Sequence, residues 1–93
     1  MAKYKPQPTS KFKKDVRLLI KRGYDISLLI NTVEMLLNGE ALPAQYHDHP
    51  LKGNKLGYRD CHIESDWVLI YKINDNLLTL ILSETGTHSD LKI

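Results

Sequence analysis

Apolar residues along this 93-residue chain recur first at helical and then at strand spacing. Phe12, Val16, Leu19 and Ile20 fall on one face of a helix that Thr9 or Ser10 can cap and that Gly23 ends. Ile26, Leu29, Ile30, Val33 and Leu37 repeat the pattern in a second helix, opened by Asp25 or Ser27 and closed at Asn38-Gly39. So short a connection predicts an antiparallel helical hairpin that offers its apolar faces to another layer. Ahead of it, Tyr4 to Gln7 reads as a short strand, which Pro6 and Pro8 confine to a sheet edge.

Beyond the hairpin the period changes. From Leu42 to Leu56, Pro43, Pro50, Gly53 and Asn54 break any repeat, which predicts a long loop carrying Tyr46-His47-Asp48-His49. Tyr58–Glu64, Trp67–Ile73 and Leu77–Leu82 read as three strands, with Asn74-Asp75-Asn76 as a hairpin turn. The charge-free run from Leu77 to Leu82 predicts a central strand covered on both faces. The expected fold is therefore α+β, an N-terminal edge strand and a two-helix hairpin packed on a small, mainly antiparallel sheet. With no repeat, linker or low-complexity tract, residues 1–93 read as one domain.

Composition narrows the class. A charged share of 26% and hydrophobic share of 42% are those of a soluble protein, and no apolar run approaches the roughly 20 residues of a bilayer span. The basic N-terminus has no following apolar stretch or small-residue cleavage site, so the expected location is the cytoplasm, away from membranes. A lone cysteine, Cys61, rules out an internal disulfide and is expected to be a small core residue. The net charge of +2 hides an asymmetry. Residues 1–22 hold eight Lys/Arg against Asp15 alone, and the remainder five against ten Asp/Glu. Lys13, Lys14, Arg17 and Lys21 share the helix face opposite the apolar stripe, a basic ridge suited to a polyanion or an acidic partner.

All four histidines, His47, His49, His62 and His88, lie outside the expected helices, and three neighbour carboxylates. Imidazole both takes and gives protons near pH 7, so two such rings, or one with a carboxylate, supply a general base and a general acid. Cleavage of RNA by its own 2′-OH needs that pair and no metal. Strand alternation puts Tyr58, Asp60, His62 and Glu64 on one face and Arg59, Cys61 and Ile63 on the other. A half-exposed sheet would show the same polar face. Asp66, at the start of the next strand, is either a histidine's orienter, a base or a turn residue. Zinc is the rival reading of His47, His49, Cys61, His62 and Asp66, although no CxxC or HExxH spacing occurs and Cys61 and His62 point to opposite sides. Trp67 and Tyr71 share a strand face and read as core rather than as a platform for bases.

Three segments carry a resemblance: Tyr46-His47-Asp48-His49-Pro50-Leu51-Lys52-Gly53, the stretch from Gly57 to Trp67, and Thr85-Gly86-Thr87-His88-Ser89-Asp90-Leu91. With Phe12-Lys13-Lys14-Asp15 of the first helix, they make the chain resemble the YafQ branch of the RelE/ParE toxin superfamily over nearly its whole length. The resemblance implies a RelE-like fold and a type II toxin, an mRNA endoribonuclease that works in the decoding site of the small ribosomal subunit without a cofactor. A cognate, DinJ-like antitoxin would hold it inactive, and operator DNA would be met only through that complex. Carried over by position, the catalytic set is His49, His62, Asp66 and His88, with His49 or Asp66 as base, His88 as acid and His62 positioning or sharing charge. The ridge Lys13-Lys14-Arg17-Lys21 would then grip ribosomal RNA.

Two positions depart from the family pattern: Glu84 stands where an arginine is common, and Lys92 where an aromatic residue is. The transition-state charge would then fall to Arg59, Lys52, Lys55 or Lys92. Glu84 keeps open the alternative of a noncatalytic toxin of the gyrase-inhibiting kind, against which the histidine set argues. A third reading is a degenerate toxin that only binds antitoxin and co-represses its operon.

Overall fold

The computed structural model describes residues 2–93. Thr9 caps α1 (Ser10–Lys21) through a hydrogen bond from the Phe12 amide, and Asp25 caps α2 (Ile26–Leu37) through one from Ser27. Gly23, at φ 85°, turns the chain between them in a conformation that favours glycine. The sheet orders its five strands β1-β5-β4-β3-β2, with β1 (Lys5–Pro8) at one edge and β2 (His49–Pro50) at the other. Between them lie β3 (Arg59–Glu64), β4 (Trp67–Asn74) and β5 (Thr79–Gly86). All pairings are antiparallel except β1 with β5. A short helix α3 (His88–Leu91) ends the chain. The expected α+β layering and edge strand are therefore present.

Both long helices cover one sheet face, where Phe12, Leu19, Leu29 and Leu36 meet Cys61, Trp67, Leu69, Tyr71, Leu80 and Leu82. Each such fully buried apolar side chain contributes about 1.5–3 kcal/mol over its exposed state. Trp67 and Tyr71, both 1% exposed, belong to this core, as the sequence pattern predicts. Trp67 donates its indole N–H to Thr85 Oγ1, which donates in turn to the Val68 carbonyl, so no polar atom is stranded there. Val68 and Ile70 turn to the opposite face and are covered in part by Leu51, Tyr58 and Leu91.

Three expectations need correction. The last strand starts at Thr79 and continues to Gly86, because Asn74 Oδ1 accepts the amides of Asn76 and Leu77 and draws Leu77 and Leu78 into the turn. Both leucines are exposed, and Leu78 has φ 50°. Ile20 and Ile30 are also exposed, since the apolar stripe of each helix is narrower than its periodicity suggests. Finally, the long loop is not structureless: it holds β2 and 3-10 turns at Ala44–Tyr46 and Gly53–Lys55. Among the described residues no helix is long and apolar enough to cross a membrane.

Beyond Pro8 the outer edge of β5 would be bare, and α1 covers it. Thr9 donates its amide to the Leu82 carbonyl and its hydroxyl to that of Ser83, while Asp15 Oδ2 accepts the Thr85 amide. A register skip at Ser83 pairs Tyr71 with Leu82 but Ile70 with Glu84, so Leu82 joins the core while Glu84 turns to the open face.

Candidate active site

Two rows cross the open face of the sheet: His49, Asp60, Ile70 and Glu84, and beside them His62, Val68 and Gly86. Gly86 leads directly into the α3 cap Thr87 and then His88, which brings the C-terminus alongside His62. The His62 and His88 rings lie 5.1 Å apart, centre to centre, and His47 stands edge-on to His62 at 5.7 Å. His47, His49 and His62 together line an open cleft of about 940 Å3, bounded by Tyr46, Glu64, Ser65 and Leu28 at the outer edge of β3.

Each outer histidine is oriented by an oxygen. His88 Nδ1 is 2.6 Å from Asp66 Oδ1, which also accepts the His88 amide at 3.1 Å. These bonds hold the Asp66 carboxyl below its ordinary range, so it is an ionised acceptor and the proton belongs on Nδ1 of His88. His49 Nδ1 donates to the His47 carbonyl at 2.8 Å. In both rings Nε2 is left as the exchanging atom. Asp60, only 4% exposed, lies 3.0 Å from His49 Nδ1 through Oδ1, yet that oxygen receives no hydrogen bond, because the ring N–H is directed to the carbonyl. Burial pushes the Asp60 carboxyl up, opposed by His49, His62 and His88.

The loop bearing His47 and His49 is pinned by the residue between them. Asp48 Oδ1 accepts from Arg59 Nε at 3.2 Å and from the Tyr71 hydroxyl at 2.6 Å. Burial, then this carboxylate, pushes the Tyr71 phenol up. α3 is pinned likewise. Thr87 and Asp90 form a reciprocal capping box, and Arg22, at the end of α1, grips Asp90 at 2.7 and 3.3 Å, so Asp90 is held down at about 2 by Arg22 and Thr87.

The structure thus brings His49, His62, Asp66 and His88 to one end of the sheet, with His47 and Asp60 added. Of the basic residues expected to meet the phosphate, Lys55 is engaged by Glu84, with Lys11 Nζ 3.8 Å from the same carboxylate, and Arg59 is engaged by Asp48. Lys52 precedes the 3-10 turn that holds Lys55 and makes no side-chain capping bond there, and Lys92 ends α3 in a left-handed conformation. Lys13, Lys14, Arg17 and Lys21 are exposed along α1, whose end reaches α3 through Arg22. Cys61 is fully buried on the helix-facing side, its thiol pushed up to about 12 chiefly by burial, so it does not converge with the histidines as a zinc ligand. Among the described residues no three His, Cys, Asp or Glu side chains are arranged to hold a metal ion.

A family model described as "Bacterial toxin of type II toxin-antitoxin system, YafQ" matches residues 4–93. The "mRNA interferase toxin YafQ" of Escherichia coli K12 is 46% identical over 84 residues, 89% of either chain. Among solved structures, the toxin fold recurs in the E. coli DinJ-YafQ toxin-antitoxin complex, at 42% identity and a TM-score of 0.88 over 96% of this chain and 97% of that one. A metal-bound toxin from Helicobacter pylori superposes with a TM-score of 0.89, at 38% identity over 98% and 99% of the two chains. The chain belongs to the YafQ family of bacterial type II toxin–antitoxin toxins.

Proposed function

We propose that this protein is an endoribonuclease that cuts messenger RNA on the ribosome, by attack of a 2′-OH on its adjacent phosphate. The observation that carries the reading is the line of imidazoles ending at His88, whose Nδ1 is held by Asp66. His49 Nε2 takes the 2′-OH proton, and the 2′ oxygen forms a bond to phosphorus. The bond from phosphorus to the 5′ oxygen breaks, and His88 Nε2 gives that oxygen a proton. Each transfer is worth roughly 10²–10⁴-fold. Asp66 serves His88 rather than the substrate, because its Oδ1 already accepts two bonds from that residue. His62, between His47 and His88, positions the substrate and shares charge.

Lys13, Lys14, Arg17 and Lys21 contact ribosomal RNA phosphates of the small subunit, in the cytoplasm, which sets position rather than sequence. A DinJ-like antitoxin is the partner that silences the protein, as the E. coli complex supports. Because the H. pylori relative is metal-bound, metal independence needs its own arm in the test. Primer extension on a defined messenger in an initiated ribosome complex, with purified protein, a chelator and His88→Ala, provides it. Codon-positioned cuts that survive chelation and disappear in His88→Ala are expected. Ribosome binding without cuts would replace this reading by a noncatalytic toxin, and cuts abolished by chelator would replace it by metal-assisted hydrolysis.

A further inference from the structure

Cleavage builds negative charge on the nonbridging phosphate oxygens, and a cation beside His62 must meet it. Two basic side chains expected there are committed elsewhere. Lys55 is held by the Glu84 carboxylate, and Arg59 lies on the other side of β3, bound to Asp48 beside Tyr71. His47 is placed differently. Its ring stands edge-on to His62 at 5.7 Å and lines the same cleft as His49. Among the described residues no salt bridge engages it, whereas His49 and His88 each face a carboxylate.

The backbone there is constrained. His47 has φ 48°, a left-handed conformation that few residues other than glycine adopt and in which histidine is over-represented with asparagine and aspartate. Three contacts hold it: its amide donates to the Ala44 carbonyl, its own carbonyl accepts from His49 Nδ1, and Asp48 anchors the next residue. The turn therefore presents the His47 ring to the cleft in a fixed orientation.

We infer that His47 is a further catalytic residue, whose protonated imidazole contacts a nonbridging oxygen of the scissile phosphate and stabilises the charge formed there. The inference rests on the ribonuclease reading above. His47 transfers no proton; it supplies a hydrogen bond and a charge. The ionisable groups facing it are Tyr46 on its own turn, His49 of β2, and His62 and Glu64 of β3, with His88 beyond His62. Two imidazolium ions, His47 and His88, are then required together, and the alkaline limb of kcat should fall with a slope of two protons.

Single-turnover cleavage on programmed ribosomes with wild type, His47→Asn and His47→Lys tests this across pH. Asparagine tolerates the left-handed backbone, but its shorter, uncharged side chain does not replace the imidazolium at the phosphate. It should lower kcat by about 10²-fold with KM little changed, the loss typical of one transition-state donor. Lysine stays charged through the working range and should restore most of the rate with a one-proton alkaline limb. His47→Asn at wild-type kcat would overturn the inference, as would a two-proton limb in His47→Lys. A His47→Lys protein that melts like wild type but cuts no better than His47→Asn would overturn it too. If His47→Asn does not fold, the limb of His47→Lys decides alone. Wild-type protein that never cuts removes the ribonuclease reading itself, whereas failure of His47 alone leaves that reading standing.

Discussion

One carboxylate oxygen, Asp66 Oδ1, receives both Nδ1 of His88 and the His88 backbone amide, at 2.6 and 3.1 Å. The residues are 22 apart in sequence, and the bond fixes the imidazole's tautomer and direction at once. Asp66→Asn removes the charge that stabilises the protonated ring. It should lower kcat by roughly 10²–10⁴-fold with little change in ribosome affinity. The Asp66 carboxyl is lowered in the folded protein, so its contribution is complete above the ordinary carboxylate range and is lost only as pH falls through the lowered value. Single-turnover rates should therefore show no Asp66 titration at neutral pH.

Asp60 presents the opposite sign. Burial raises its carboxyl, so the fold gains from protonation there, and stability falls as pH rises through the ordinary value and up to the raised one. Asp60→Asn should raise the melting temperature at pH 7 while slowing cleavage, because His49 loses its neighbouring charge. Melting curves at pH 4 and 7 check this: the variant's advantage should shrink at the lower pH. A lower Tm at pH 7 would mean that the carboxylate stabilises the site despite its burial.

Arg22 and Asp90 tie the end of α1 to the helix that carries His88. The pair is partly exposed, and such pairs are worth about 0.2–1 kcal/mol, so Arg22→Gln should slow cleavage by no more than about five-fold. Asp90→Ala also breaks the capping box and should cost more than Arg22→Gln. Gly86→Ala offers a steric check, since its Cβ would stand 3.0 Å from the Asp90 side chain. NMR of the His88 ring should report broadening in all three variants. The Asp90 carboxyl sits at about 2, so the clasp contributes above the ordinary carboxylate range and weakens only as pH falls toward that value.

The basic ridge makes a separate prediction. Lys13→Glu with Lys14→Glu should weaken ribosome association and flatten its salt dependence, leaving the histidine cluster intact. Binding that is unchanged at every salt concentration would assign the ridge to another partner.

Periodicity carried the helices, and alternation carried the face of His62, because both depend on residues close in sequence. The long-range pairs were not legible. Lys55 meets Glu84 across 29 positions and Arg22 meets Asp90 across 68, and no local pattern announces either. The Leu77 boundary failed because a side-chain turn at Asn74 overrode an apolar run. One signal was present but unread: Thr87-x-x-Asp90 has the spacing of a capping box. The His47-Asp48-His49 cluster was legible, but not that Tyr71 and Arg59 anchor the carboxylate between the two rings.

The central claim is attack by the 2′-OH under acid–base catalysis from His49 and His88, and the chemistry of the cut ends tests it most directly. Mass spectrometry of both fragments should find a 2′,3′-cyclic phosphate, or the 3′-phosphate formed by its opening, on the upstream piece and a 5′-OH on the downstream piece. An upstream 3′-OH with a downstream 5′-phosphate would contradict the account, because water rather than the 2′ oxygen would then have attacked phosphorus.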